Sequence, residues 1–148
     1  MPYPEPFIAP MRADLTRYGV EEARTPADVD RLIAPENGTV MMIVNSVCGC
    51  AAGKARPAVG MALEHPLRPA KVGTVFAGAD EQAVARLRAI LSQYPPSSPS
   101  IALFRDGQPI HMIHRRDIEV RDAFAVAELL KEAFEKYYQP SLTPGGRT

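Results

Sequence analysis

Two cysteines, Cys48 and Cys50, are the only ones in the 148-residue chain, and a single glycine, Gly49, separates them. A bridge across so short a loop removes almost no entropy from the unfolded chain, so structural stapling is a poor reason for the pair. Thiol chemistry or metal binding remains. Zinc asks for four N or S ligands, and the remaining soft candidates are His65, His111 and His114. His111 and His114 lie far along the chain, so a site built from the pair and two of these would be unusual. Two buried cysteines packed as small hydrophobes are the bland alternative.

The residues before the pair say where it stands. Thr39-Val40-Met41-Met42-Ile43-Val44-Asn45 is a continuous apolar run of strand length, as expected for a strand covered on both faces. After the pair, Ala51, Ala52, Ala55, Val59, Ala62 and Leu63 recur at helical spacing, with Pro57 expected to kink the helix. The cysteines therefore sit where a strand ends and a helix begins. With Cys48 as N-cap, its sulfur can accept from the N–H of Cys50 or Ala51, which favours thiolate over thiol. Cys48 is accordingly the expected nucleophile and Cys50 the less exposed, resolving thiol. Residues i and i+2 of a helix point about 200° apart, so a Cys48–Cys50 bridge needs a distorted first turn, which Gly49 permits. A strained bridge is a more oxidising one.

The rest of the chain supplies the scaffold. Residues 1–9 carry Pro2, Pro4 and Pro6 and are expected to be extended, followed by a helix with Met11, Leu15 and Tyr18 and a stop at Gly19. Thr25-Pro26 reads as N-cap and first position of a second helix reaching Leu32 or Ile33, before Pro35. Val72 to Gly78 reads as a second buried strand, and Asp80 as the cap of a helix bearing Val84, Leu87, Ile90 and Leu91. Ser100 to Phe104 is a third strand, Asp106-Gly107 a hairpin signal, and Ile110 to Ile113 a fourth strand. A last helix runs from about Ala123 to Tyr137, and residues 140–148 are expected to be a flexible tail. No repeat or linker divides the chain, so a single domain over 1–148 is expected.

The order β-α-β, α, β-hairpin, α resembles the thioredoxin arrangement. The expected fold is α/β: a central mixed four-stranded sheet flanked by helices, with an N-terminal helical extension. In such proteins a cis-proline faces the cysteines from ahead of the third strand. Ser98-Pro99 stands at that place, so Pro99 is expected to be cis, with the backbone of Ser98 beside it open to a substrate chain.

The stretch from Asn45-Ser46 through Cys48-Gly49-Cys50 to Ala55-Arg56-Pro57 strongly resembles the bacilliredoxins. The likeness continues through residues 74–78, 96–100 and 102–104, and covers about residues 10–137. The resemblance implies that Cys48 attacks a mixed disulfide, that Cys50 or a second small thiol resolves it, and that Gly49, Ser98 and Pro99 help to bind substrate. It implies removal of bacillithiol from S-thiolated client proteins and disulfide-isomerase-type activity. Bacillithiol enters as a substrate thiol; no resident cofactor or metal is expected. Arg56, Arg115, Arg116 and Arg121 can form an anion-holding face for bacillithiol's carboxylates, although solvated surface charge, or an ion pair with Glu119 or Asp122, is the simpler reading.

Composition narrows the partners. Hydrophobic residues make up 46% and charged residues 23%, the balance of a globular domain. Lys+Arg and Asp+Glu are 17 each, so nothing favours nucleic acid or an anionic membrane. Without a signal segment or a long apolar run, a cytoplasmic location is expected. The competing class is a non-enzymatic module of the same fold that senses oxidation or holds a metal or protein partner.

Overall fold

The computed structural model describes residues 2–138; the tail expected at 140–148 lies outside them. Five strands form one sheet in the order β1-β3-β2-β4-β5, with β1 Glu21–Glu22, β2 Thr39–Asn45, β3 Lys71–Phe76, β4 Ser100–Arg105 and β5 Gln108–Ile113. β2 runs parallel to β3 and antiparallel to β4, and β4 and β5 form the hairpin. The sheet is thus mixed, as expected, but has five strands rather than four. The extra strand is two glutamates on the edge, parallel to Gly73 and Thr74 of β3, too short and too polar to leave a pattern.

The helices are α1 Glu5–Thr16, α2 Pro26–Leu32, α3 Arg56–Ala62, α4 Glu81–Ile90, α5 Arg115–Glu119 and α6 Ala123–Tyr137. Successive residues of β2 face opposite sides. Met41 and Ile43 join Ile101 and Leu103 beneath Val59, Leu130 and Phe134 of α3 and α6. Val40, Met42 and Val44 join Ala102 and Phe104 beneath α2 and α4, through Val29, Leu32, Val84 and Leu87. A strand buried on both faces needs apolar residues at every position, which is why its run was continuous. The hairpin turn has Asp106 at φ 52° and Gly107 at φ 83°, the left-handed pair that a two-residue turn requires.

Three local expectations are corrected. Residues 5–9 are helical, not extended: Pro6 falls in the first turn, where no N–H partner is lost, and α1 tolerates Pro10 because its inward stripe is Ile8, Arg12 and Leu15. Asp80 precedes α4 but its carboxylate does not cap it. It accepts from Arg12 Nη1 and Nη2 at 2.9 and 2.8 Å, and from the Phe76 N–H at 3.1 Å. The helix after the cysteines does not kink simply at Pro57. Residues 51–55 form one π-helical turn, in which the Arg56 N–H reaches Ala51 O, before α3 begins. Pro57 has no N–H for Gly53, and the wider turn absorbs that missing donor.

The last helix has the expected bounds, and the residue that follows it, Tyr138, anchors it to the sheet. The buried Tyr138 hydroxyl donates to Val40 O at 2.9 Å and lies 3.1 Å from Phe104 O. Among the described residues no helix is long and apolar enough to cross a membrane.

Candidate active site

β2 delivers the chain to the site through a turn that is fixed from below. Asn45 Oδ1 accepts from the Ser46 N–H at 2.9 Å, and Asn45 Nδ2 donates to Met11 O of α1 at 3.2 Å. Beneath it lies Arg56, only 3% exposed. Its Nη1 donates to Asn45 Oδ1 and to Ser46 O, both at 3.1 Å. Asp14 Oδ2 comes within 3.2 Å of Arg56 Nε, yet out of hydrogen-bonding alignment, so Nε has no hydrogen-bond partner among the described residues. Burial lowers the affinity of this guanidinium for its proton.

Cys48 follows as the residue before the helix, and Gly49 and Cys50 are its first two residues. The N–H groups of Ala51 and Ala52 both donate to Cys48 O at 3.1 Å. The Cys48 sulfur accepts from the Ser46 hydroxyl at 3.3 Å. Partial burial pushes this thiol up from its ordinary pKa. The Ser46 hydroxyl, the N–H groups of Ala51 and Cys50 and the charge of Arg115 outweigh burial and bring it below the ordinary value. Both thiols are free, and their surroundings differ. Cys48 opens onto a hollow of about 310 Å³ lined by Tyr3, Ser46, Val47, Ala77, Gly78, Ser98 and Arg115. Cys50 packs, partly buried, against the core beneath α3 and α6.

The Ser98–Pro99 peptide is cis, as expected. Ser98 lines the hollow with Cys48, whereas Pro99 is buried behind it and Gly49 lies exposed on the outer rim. Of the residues expected to bind substrate, the fold thus brings Ser98 to face the thiol, and Pro99 only through its neighbour. The loop is held by its flanks. Ser100 Oγ donates to Ser97 O at 2.8 Å, the Arg115 N–H to Ser97 Oγ at 3.1 Å, and Arg115 Nη1 to Ser98 O at 3.2 Å.

The four arginines separate. Arg56 is buried under the turn, and Arg121 Nη1 donates to Asp117 O at 2.7 Å. Arg116 lines a neighbouring hollow with Pro95, Pro96 and Glu119. Only Arg115 of the four reaches the hollow over Cys48. Sequence reasoning gave no site role to Tyr3, Ala77 or Gly78, and it carried the second strand through Ala77 and Gly78, whereas β3 ends at Phe76. Gly78 has φ 87°, and a Cβ on it would come within 2.5 Å of the Tyr3 ring; a glycine after an apolar strand was the one available signal. The histidines are accounted for elsewhere: His65 lies 2.9 Å from Glu135, His111 stacks on Tyr137 and His114 precedes α5. Among the described residues no three His, Cys, Asp or Glu are grouped to hold a metal ion.

Comparison with known proteins agrees with this geometry. The family described as disulphide isomerase matches residues 3–138. The chain is 52% identical to a bacilliredoxin of Koribacter versatilis over 91% of its own length and 93% of the relative's. It is 41% identical to a bacilliredoxin of Halalkalibacterium halodurans, over 91% and 94%. In three dimensions it resembles a mutant thioredoxin from Halobacterium salinarum, with TM-score 0.58 and 16% identity, covering 86% of this chain and 95% of that one. Thioredoxin O2 from Arabidopsis thaliana superposes with TM-score 0.55 and 16% identity, over 83% and 97%; both likenesses concern the fold. The chain therefore has the thioredoxin fold and belongs to the bacilliredoxin family of thiol–disulfide oxidoreductases.

Proposed function

We propose that this protein removes a small thiol, bacillithiol or a close chemical relative, from mixed disulfides on client proteins, with Cys48 as nucleophile and Cys50 as resolving thiol. The carrying observation is the Cys48 sulfur itself: it accepts from Ser46, lies at a helix start and opens onto the hollow shared with Ser98. A thiolate stabilised by donors, rather than by burial in apolar surroundings, is the reactive form.

The exchange balances without an outside oxidant. The Cys48 thiolate attacks the small-thiol sulfur of client–S–S–R. The Cys48–S–S–R disulfide forms, the S–S bond between the client sulfur and the small-thiol sulfur breaks, and the client leaves as a thiolate. The Cys50 thiolate then attacks the Cys48 sulfur, forming the Cys48–Cys50 bridge and releasing RS⁻. A second small thiol can instead attack Cys48–S–S–R, releasing RSSR. Where the Cys48–Cys50 bridge forms, an external thiol reductant restores the dithiol. Disulfide isomerisation uses the same nucleophile on a client disulfide. The setting that suits this cycle is a reducing one, such as the cytoplasm, where thiols must be kept free.

The test is turnover of a client protein carrying one labelled small thiol. Cys48→Ala should abolish release. Cys50→Ala should retain the first exchange and accumulate the small thiol on Cys48, visible as an added mass. Release that survives Cys48→Ala would pass the nucleophile's role to Cys50, and no release by the wild type would leave the fold as a sensing or binding module.

A further inference from the structure

The hollow over Cys48 has an uneven charge. Its lining residues are Tyr3, Ser46, Val47, Ala77, Gly78, Ser98 and Arg115 besides the cysteine itself. One of these is a permanent cation and none is a carboxylate. The cation is supplied by α5, a five-residue helix whose first residue, Arg115, is tied to the opposing loop through its N–H to Ser97 Oγ and its Nη1 to Ser98 O. The guanidinium is thereby held at the mouth of the hollow on a backbone that itself borders the thiol.

Its own neutralisation is incomplete. Glu119 Oε2 lies 3.4 Å from Arg115 Nε, and both side chains are nearly half exposed, at 44% and 45%. Such an i, i+4 pair on a surface holds weakly. Arg115 stands between two hollows and lines both, whereas Glu119 and Arg116 line only the neighbouring one. Among the described residues, Arg115 Nη2 has no hydrogen-bond partner. A planar guanidinium with free donors is suited to a carboxylate.

We propose that Arg115 is the anion-recognising residue of this hollow, selecting disulfides in which the sulfur attacked by Cys48 belongs to a small thiol bearing a carboxylate. The inference rests on the reading of Cys48 as nucleophile. It assigns the two halves of a mixed disulfide to different places. The small, charged half lies between the Tyr3 ring and Arg115, and the departing polypeptide half lies outward. The chemistry is the exchange already written: the thiolate bonds to the carboxylate-bearing sulfur, and the other sulfur leaves with the electron pair.

The probes are two small disulfides, dithiobis(nitrobenzoate), which carries a carboxylate on each half, and dithiodipyridine, which is neutral. Their rates of reaction with Cys48 are measured in a Cys50→Ala background, and the quantity read is the ratio of the two. A change in thiolate fraction, or a shifted loop, acts on both reagents and largely cancels in that ratio. Arg115→Gln should lower the ratio about two- to fivefold, the range of one half-exposed charge pair. Arg115→Lys should keep most of it, and raising salt to about 1 M should diminish the wild-type preference. Arg116→Gln, whose charge belongs to the neighbouring hollow, should leave it unchanged. An unchanged ratio in Arg115→Gln, or an equal fall in Arg116→Gln, overturns the proposal. Failure of Cys48 to react with either reagent would instead overturn the reading of Cys48 as the nucleophile.

Discussion

Among the described residues two arginines are buried, and they live in opposite electrostatic company. Arg12 of α1 meets three carboxylates: Glu5 at 2.9 Å, Glu22 at 3.0 Å and the buried Asp80 at 2.8 Å. Its hydrogen bonds to Asp80 and Glu5 raise its hold on its proton despite burial. Arg56 of α3 has one unaligned carboxylate, Asp14, which is 41% exposed, and otherwise neutral acceptors. Burial dominates there and lowers its proton affinity. The first arginine ties the N-terminal helix to the sheet and spends its charge locally. The second sits under the reactive turn with its charge only partly cancelled. A buried charge fully matched by partners is a fastening; one left partly unmatched beneath the turn that carries Cys48 is expected to act on the thiol as well.

The largest expected effect comes from breaking the fastening. Arg12→Met leaves the Asp80 carboxylate buried without its cation and should cost about 3–5 kcal/mol of stability, read from urea unfolding. The rate of Cys48 alkylation in the folded protein should hardly move; an equally large change there would erase the distinction between the two arginines. The pH dependence gives an independent check. Arg12 holds the Glu5 carboxyl below its ordinary 4.5. A carboxyl lowered in the folded state contributes stability above its unfolded value and loses it as pH falls through the folded one. The wild type should therefore lose stability below about pH 4.5 more steeply than Arg12→Met does.

Arg56→Met should act the other way round. The loss of two donors to Asn45 and Ser46 should cost about 1–3 kcal/mol, less than at Arg12. The release of the turn that carries Ser46 should raise the alkylation midpoint of Cys48 and slow its reaction below pH 8. A thiol titration identical to the wild type's would reduce Arg56 to a second fastening.

The bridge potential sharpens the same contrast. The thiolate is supported at the helix start, ahead of the π-helical turn at 51–55, while the i, i+2 bridge must distort the residues between the two sulfurs. The Cys48–Cys50 couple should therefore be more oxidising than thioredoxin at about −270 mV, each 30 mV being about 1.4 kcal/mol. Equilibration against glutathione redox buffers measures it. A value at or below thioredoxin's would mean that the bridge forms without strain.

Ser46→Ala is the mildest break. It removes one hydroxyl donor to sulfur, so stability should change by no more than about 0.5 kcal/mol, while the Cys48 midpoint rises. The sign follows from linkage. A thiol lowered in the folded state adds stability above its unfolded pKa and loses it as pH falls through the folded value. The gain in wild-type stability on approaching pH 9 should shrink in Ser46→Ala and vanish in Cys48→Ala. Equal pH slopes in all three proteins would show that the sulfur is not specially supported.

The parts legible in the sequence were those governed by burial and turn chemistry. β2 and α6 were placed at their observed bounds because one is apolar throughout and the other carries Val126, Leu130 and Phe134 on one face. Asp106-Gly107 and Thr25-Pro26 announced their turn and cap, and the capping bond from the Asp28 N–H to Thr25 Oγ1 is present at 3.1 Å. Of the candidate site, the place of Cys48 between strand and helix and the cis Ser98–Pro99 step were legible. What stayed hidden depends on partners remote in sequence. α1 starts in a proline-rich stretch because Arg12 finds Asp80, 68 residues away. β1 is two glutamates with no pattern of their own, and α5 is a single short turn fixed by Ser97 and Asp117. Tyr3 enters the hollow only because its N–H donates to Gly78 O at 3.0 Å and its ring covers Gly78.

That last contact belongs to a wider arrangement. Apart from the charge of Arg115, everything that supports the sulfur, from Asn45 and Ser46 through Ala51 to Arg56, comes from one short stretch of chain. The walls that a ligand would meet come from Tyr3, Ala77, Gly78, Ser98 and Arg115, on four separate segments. Arg115 alone belongs to both sets; otherwise reactivity and selectivity are encoded in different places. Substitutions at Tyr3 or Ala77 can change what the protein accepts while the thiol's immediate supports stay the same. For protein engineering, a library confined to those wall positions searches specificity without rebuilding the nucleophile, and an affinity tag fused just ahead of Tyr3 would stand at the substrate's door.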